Sequence, residues 1–197
     1  MFIIESSQEK VLQDLQEYAI TDKHDTFGYL TFKYPAIYSI EPVKDKEKQE
    51  TNTTFVESAE IQQIPLPLFG GTIVNNAGDL GFLLVSRDRW SKWEYGAMKF
   101  LKRYLAKHYG ISTEIKGNDM LIDGKKFVGT AHGFTQYHRL SAMFVSMNSD
   151  TEWLIKHVCM KENKHKGFIG LDIFGVCPKK LINAMKNYAI RWEGYEL

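Results

Sequence analysis

A chain of 197 residues is long enough to bury a sizeable core within one domain, and with 44% hydrophobic and 13% aromatic residues and only 5 prolines it falls outside the disordered and fibrous classes. Lys plus Arg number 25 against 24 Asp plus Glu, and a net charge of +1 provides no broad electrostatic footprint for nucleic acid or an anionic membrane. The two cysteines, Cys159 and Cys177, are too few for a disulfide framework, MFIIESSQEK lacks a basic n-region followed by a long apolar core, and no apolar run approaches the ~20 residues of a bilayer span, so a soluble, cytoplasmic protein is expected.

In chain order, SSQEKVLQDLQEYAI sets Ser6 three residues before Glu9, a capping-box spacing, and follows it with Val11, Leu15 and Tyr18 on one helical face. GYLTFKYPAIYSIEP, aromatic and β-branched, predicts two short strands broken at Pro35. The charged stretch VKDKEKQETNTT is expected to be a solvated, mobile loop. Within IQQIPLPLFGGTIVNNAGDLGFLLVS a strand-like start precedes Gly70-Gly71, a short apolar strand, the Asn75-Asn76 pair and a clear strand over 80–85. A long amphipathic helix is predicted from about Asp88 to Tyr109, with Trp90, Trp93, Ala97, Leu101 and Leu105 as its stripe and Gly110 as its stop.

Residues 118–133, NDMLIDGKKFVGTAHG, read as a hairpin: runs at 120–122 and 126–128 are separated by Asp123-Gly124, a dipeptide favoured in type I′ turns. RLSAMFVSM predicts another strand, and Asp150 is placed to cap a helix through Trp153 and Ile155. Pro178 opens a final helix with Leu181, Met185, Tyr188 and Trp192 as its buried stripe. Strands in runs, with no regular βαβ alternation, argue for an α+β fold with a mixed, largely antiparallel sheet, in one domain over 1–197.

Lys126 follows the turn closely, so a strand ladder would fix its backbone and aim its ammonium at one place, where it could neutralise a phosphate or polarise a carbonyl. The plainer reading makes Lys125 and Lys126 solubilising charges beside a turn. Gly70-Gly71 would let an oxygen-rich ligand approach backbone amides, or is simply a bulge. Asn118-Asp119 could orient Lys126 or hold a metal-bound phosphate, or is simply a turn. The six histidines show no zinc spacing, and no structural metal is expected. Cys159, with His157 and several lysines nearby in sequence, is a candidate nucleophile, against the commoner role of a buried thiol.

Taken together, these stretches resemble the catalytic domain of the superfamily of lipoate–protein ligases, octanoyltransferases and biotin–protein ligases, with lipoate–protein ligase A as the nearest pattern. GNDMLIDGKKFVGTAHG is similar to the family's Asn-Asp, Asp-Gly, Lys and small-residue signature, and Lys126 falls on its essential lysine. LQEYAI, FKYPAIYSI and FGGTIVNNAGDLGFLLV are similar to its first helix, its strand pair and its glycine-rich adenylate-binding stretch, so the resemblance covers most of residues 12–150. It implies a fold of that family and a reaction in which ATP, with Mg, activates lipoate or octanoate to an acyl-adenylate whose acyl group passes to a lysine of a lipoyl-type carrier domain. It also implies roles for Gly70, Gly71, Thr72, Ile73, Val74, Asn75, Asn118, Asp119, Gly129, Thr130 and Ala131 in substrate and nucleotide binding.

The chain departs from the family pattern in carrying Pro65 and Leu66 where an Arg-Arg pair is usual, and Asn75 where a histidine follows the glycine strand. Neither Pro nor Leu can clamp a phosphate or carboxylate. No C-terminal accessory domain is expected within 1–197, so either a separate accessory subunit is needed or ATP is not used. The octanoyltransferase branch, which carries the acyl group on a cysteine, keeps Cys159 in view, although the family's Pro-Cys-Gly context is absent. Two further readings remain: a non-catalytic member that binds an acyl ligand, a nucleotide or a protein partner, and a nucleotide or nucleic-acid binder using KHYG and KENKHK, which the near-neutral charge disfavours.

Overall fold

In the computed structural model, residues 1–7, 10, 13, 14, 17, 25–40, 52–66, 73–88, 90–134, 138–158 and 166–192 are described. Most of the expected first helix, most of the charged stretch after Pro42, Gly70, Gly71, Thr72 and Cys159 lie outside them.

The described strands are β1 (Phe2–Glu5), β2 (Thr26–Thr31), β3 (Ala36–Ile40), β4 (Gln62–Leu66), β5 (Ile73–Asn75), β6 (Leu80–Ser86), β7 (Glu114–Lys116), β8 (Asp119–Ile122), β9 (Lys125–Phe134) and β10 (Arg139–Val145). The described α-helices are α1 (Thr53–Ser58), α2 (Trp93–Tyr109), α3 (Thr151–Val158) and α4 (Pro178–Ile190), with a 3₁₀ turn at Leu171–Phe174. Seven strands form one sheet in the order β1-β2-β6-β10-β9-β8-β7, and three form a second in the order β4-β3-β5. Only β1–β2 and β3–β4 pair in parallel among these ladders, so the fold is α+β with a mixed, largely antiparallel sheet.

Every residue of β6 and of β10 is buried, because both faces of the large sheet are covered. Alternate side chains divide between two cores. Phe82, Leu84, Met143 and Val145 join Trp93, Leu101, Leu181 and Met185 of α2 and α4 on one face. Leu83, Val85, Ala142 and Phe144 join Ala36 and Ile64 of the small sheet on the other. Beyond the small sheet, Ile37 packs with Val56 of α1 and with Leu154 and Val158 of α3. This gives a helix pair, a large sheet, a small sheet and a second helix pair, and the junction of the two sheets is where a cleft can open.

Two helix boundaries differ from the sequence reading. Helix α2 begins at Trp93 rather than near Asp88, and Trp90 is 87% exposed, so it is no part of the buried stripe. Trp192 lies beyond the end of α4 yet still packs against the core, while Trp153, in α3, is 58% exposed. At its other end α2 stops as expected, on Gly110 in a left-handed conformation. The charged segment after Pro42 ends in the short helix α1, capped by Asn52, whose side-chain oxygen accepts from the Phe55 N–H at 3.1 Å.

Candidate functional site

Asp123 and Gly124 have φ of 52° and 80°, as a two-residue type I′ turn requires. The turn pairs Ile122 with Lys125 and Leu121 with Lys126, but the register then slips: Met120 pairs with Val128 and Asp119 with Gly129. One residue of β9, Phe127, is therefore extra, a β-bulge that locally reverses the inside–outside alternation. Lys126 consequently shares a face with Gly129, and its ammonium reaches Asp119 Oδ1 at 2.6 Å. A Cβ on Gly129 would sit 3.2 Å from both Lys126 Cε and Nζ, so the lysine lies across the bare glycine backbone.

The other edge of Lys126 is held as well. Its N–H donates to the Gly167 carbonyl at 2.9 Å, and its carbonyl accepts from the Ile169 N–H at 3.0 Å, with Phe168 as its parallel bridge partner. Where β10 ends, residues 166–169 thus continue along the same edge of β9. A lysine with its backbone clamped on both sides and its ammonium tethered by a carboxylate is preorganised to present charge at one position.

That position is a cleft of about 80 Å³ between the two sheets. Ile73, Val74 and Asn75 of β5 form one wall, Lys126 to Gly129 of β9 with Phe144 and Ser146 form another, and Ile155 of α3 and Phe168 complete the lining. The surface is mixed, with apolar side chains beside several converging polar groups, a pattern compatible with a small-molecule site. Asn75 is 2% exposed, and its Nδ2 is buried with no hydrogen-bond partner among the described residues, an unsatisfied donor at the cleft wall.

Of the residues singled out from sequence, the fold brings Ile73, Val74, Asn75, Lys126 and Gly129 into this lining and sets Asp119 against Lys126. Asn118 is exposed in the turn between β7 and β8, and its carbonyl accepts from both the N–H and the hydroxyl of Thr130, at 2.8 and 3.0 Å. Thr130 is therefore turned toward that carbonyl, and Ala131 packs in the core beneath the small sheet. Neither is among the lining residues. Gly70, Gly71, Thr72 and Cys159 fall outside the described residues, and Pro65 and Leu66 stand in β4, paired with Ser39 and Ile40. Among the described residues, no group of three or more His, Cys, Asp or Glu side chains could hold a metal ion.

One residue that sequence reasoning missed is Asp79. It is fully buried, and burial pushes its carboxyl up to about 6, against hydrogen bonds that pull the other way from the N–H groups of Asn76, Asn148 and Met147 and from the Thr151 hydroxyl. In NNAGDLGFLLV an acid before a strand looks like an ordinary turn residue; the available signal was that it directly precedes a run of apolar residues and must enter the core with them.

Comparison with known proteins bears on this geometry. A family model described as the lipoyl protein ligase A/B catalytic domain matches residues 15–176. Among solved structures, LipL1 of P. falciparum in complex with lipoate is similar, with a TM-score of 0.72 and 12% identity, over 99% of this chain and 64% of that one. A bi-partite lipoate protein ligase from Thermoplasma acidophilum, studied with its E2 lipoyl domain, has a TM-score of 0.69 and 14% identity, over 94% of this chain and 80% of that one. Lipoate-protein ligase A bound with ATP has a TM-score of 0.70 and 14% identity, over 93% of this chain and 81% of that one. No curated protein sequence matches the chain.

Proposed function

The chain belongs to the lipoyl protein ligase A/B catalytic domain family, and from that premise we propose that it attaches a medium-chain acyl group, lipoate or octanoate, to a lysine of a lipoyl-type carrier domain. The observation that carries this reading is that Lys126, tethered at 2.6 Å to Asp119, lines the same cleft as the apolar side chains of Ile73, Val74, Phe144 and Ile155 and the amide of Asn75. An apolar chain fits such a lining, while a carboxylate or acyl phosphate needs a fixed cation and a hydrogen-bond donor. In the ATP-dependent route, a carboxylate oxygen of the acid attacks the α-phosphorus of ATP and pyrophosphate leaves; Mg, where bound with the nucleotide, would supply further charge neutralisation. The carrier amine then attacks the acyl carbon, AMP departs, and the amine loses a proton. Lys126 offsets the charge that builds on phosphate and carbonyl oxygens in both steps.

The fold shared with ligases described with lipoate, with ATP and with a lipoyl domain supports this choice of substrates and carrier. That one of them is described as bi-partite supports a separate accessory subunit for this chain too. A specific observation favours a second reading. Pro65 and Leu66 occupy β4 where the family pattern has two arginines, and Lys126 is the cationic side chain among the described lining residues. A site that has lost its phosphate clamps could take an acyl thioester instead of ATP, with Cys159 as a candidate carrier of the acyl group, or could bind an acyl ligand, a nucleotide or a protein partner without turnover.

The test is to incubate the protein with ATP, Mg, octanoate or lipoate, and a lipoyl domain, and to weigh the carrier by mass spectrometry, with a parallel reaction supplying octanoyl thioester in place of ATP. An acylated carrier in the first reaction identifies a ligase, and in the second alone a transferase. A carrier of unchanged mass in both removes the acyl-transfer reading and leaves the binding one.

A further inference from the structure

Asp79 takes no part in the chemistry above, yet its carboxylate gathers three segments that form the cleft walls. Oδ2 accepts from the Asn76 N–H at 2.8 Å and from the Thr151 hydroxyl at 3.1 Å. Oδ1 accepts from the Met147 N–H at 2.7 Å and the Asn148 N–H at 3.1 Å. Each of the three segments carries a lining residue: Asn76 follows Asn75, Met147 follows Ser146, and Thr151 precedes Ile155 by one turn of α3. The Asn148 side-chain amide adds a direct bond to the Ala77 carbonyl at 3.0 Å, and Gly170 lies so close to the Asn148 and Ser149 backbone that it admits no Cβ.

A carboxylate removed from water is costly unless hydrogen bonds compensate it. Here the compensation comes from donors on three separate stretches of chain, which an apolar residue of similar size could not hold together. We propose that Asp79 is a positioning residue of the cleft, fixing Asn75, Ser146 and Ile155 relative to one another and thereby setting how tightly an acyl chain is held. This proposal rests on the acyl-binding reading of the same cleft.

Asp79→Asn tests it with directional detail. The substituted amide keeps the oxygen that accepts from Met147 and Asn148, but turns an N–H donor toward the Asn76 N–H, while the Thr151 hydroxyl can reverse its role. The Asn76 amide alone loses its acceptor. In the full-length protein, hydrogen exchange of the Asn76 amide therefore quickens while Met147 and Asn148 stay protected. The Kd for octanoate rises roughly tenfold, and in the acylation assay KM for the acid rises with kcat within about twofold. Thr151→Val, which removes one donor and leaves the carboxylate, gives a smaller rise in the same direction and serves as the test if Asp79→Asn does not fold. Unchanged octanoate affinity in a variant whose melting temperature has dropped overturns the proposal, because Asp79 is then a stability residue only. If the wild type binds no acyl acid, it is the functional reading that fails. The proposal is then decided by the methyl resonances of the lining residues Val74 and Ile155: positions altered in the variant uphold it, and unaltered ones overturn it.

Discussion

Lys126 and Asp119 form a 2.6 Å ion pair across one hairpin, and they meet because a single-residue bulge turns the lysine onto the face of Gly129. Both side chains are about a quarter exposed, 27% and 25%, so the pair stabilises the fold by no more than about 1 kcal/mol. Its effect on chemistry is expected to be much larger. Lys126→Ala should lower carrier acylation by on the order of 100-fold or more while shifting the melting temperature by only a few degrees. Full activity in that variant would remove Lys126 from the mechanism.

Gly129→Ala probes the same geometry from below. The added methyl would be 3.2 Å from Lys126 Cε and Nζ, close enough to push the ammonium aside, and the far end of a lysine can yield by a few tenths of an ångström. Activity should fall several-fold with little loss of stability, and Gly129→Val should fall further. An activity that is insensitive to both substitutions would show that the ammonium need not rest on residue 129.

The turn itself can be tested by exchanging its conformational demands. Gly124→Ala places a side chain at φ 80°, 2.9 Å from Lys166 Cδ, and should cost about 1 kcal/mol. Asp123→Gly relieves a non-glycine residue at φ 52° and should be nearly neutral. Urea denaturation of the two variants should separate them in that order.

Gly96 marks the close approach of α2 and α4. A Cβ there would meet the Tyr188 hydroxyl and come within 2.6 Å of Trp192 Cζ3, contacts that require ring movement in a packed core. Gly96→Ala should therefore cost roughly 1–3 kcal/mol despite the better helix propensity of alanine. Thermal unfolding checks this, and a stabilised Gly96→Ala would mean that the two helices can separate freely.

Asp79 gives the fold a signature in acid. Its carboxyl ordinarily titrates near 3.8 but is pushed up to about 6, so between those values the folded chain holds a proton that the unfolded chain has released. The stability contributed by this group is fully present below about pH 4 and is lost as pH rises through about 6, with a slope of at most ~1.4 kcal/mol per pH unit. Wild type should lose stability relative to Asp79→Asn as pH is raised across that window. A difference that stays level from pH 4 to 7 would contradict the raised value.

What could be foreseen was what local sequence dictates. Asp123-Gly124 between short apolar runs sufficed for the hairpin and for the placement of Lys126, and Gly110 sufficed for the end of α2. The helical spacing of Trp90 places the start of α2 five residues too early, whereas Trp90 is exposed, which periodicity does not report, and the helix begins at Trp93. The bulge at Phe127 was not legible, since it depends on which residue of β8 faces which residue of β9. Asp79 escaped notice for a related reason: its donors lie at Asn76, Met147, Asn148 and Thr151, most of them some seventy residues away in sequence. The strands β1 and β7 and helix α1 are short, and the pairing and packing that define them come from distant segments.

The grip of residues 167–169 on Lys126 has a temporal implication. The hairpin is local and can close as soon as its own residues have been made, and β10 soon covers β9 from Val128 to Phe134, but the edge at Lys126 stays unpaired until a stretch some forty residues further along returns to it. During synthesis the amine is therefore present long before it is aimed, and a nascent chain stalled ahead of Phe168 would carry the signature lysine without a working site.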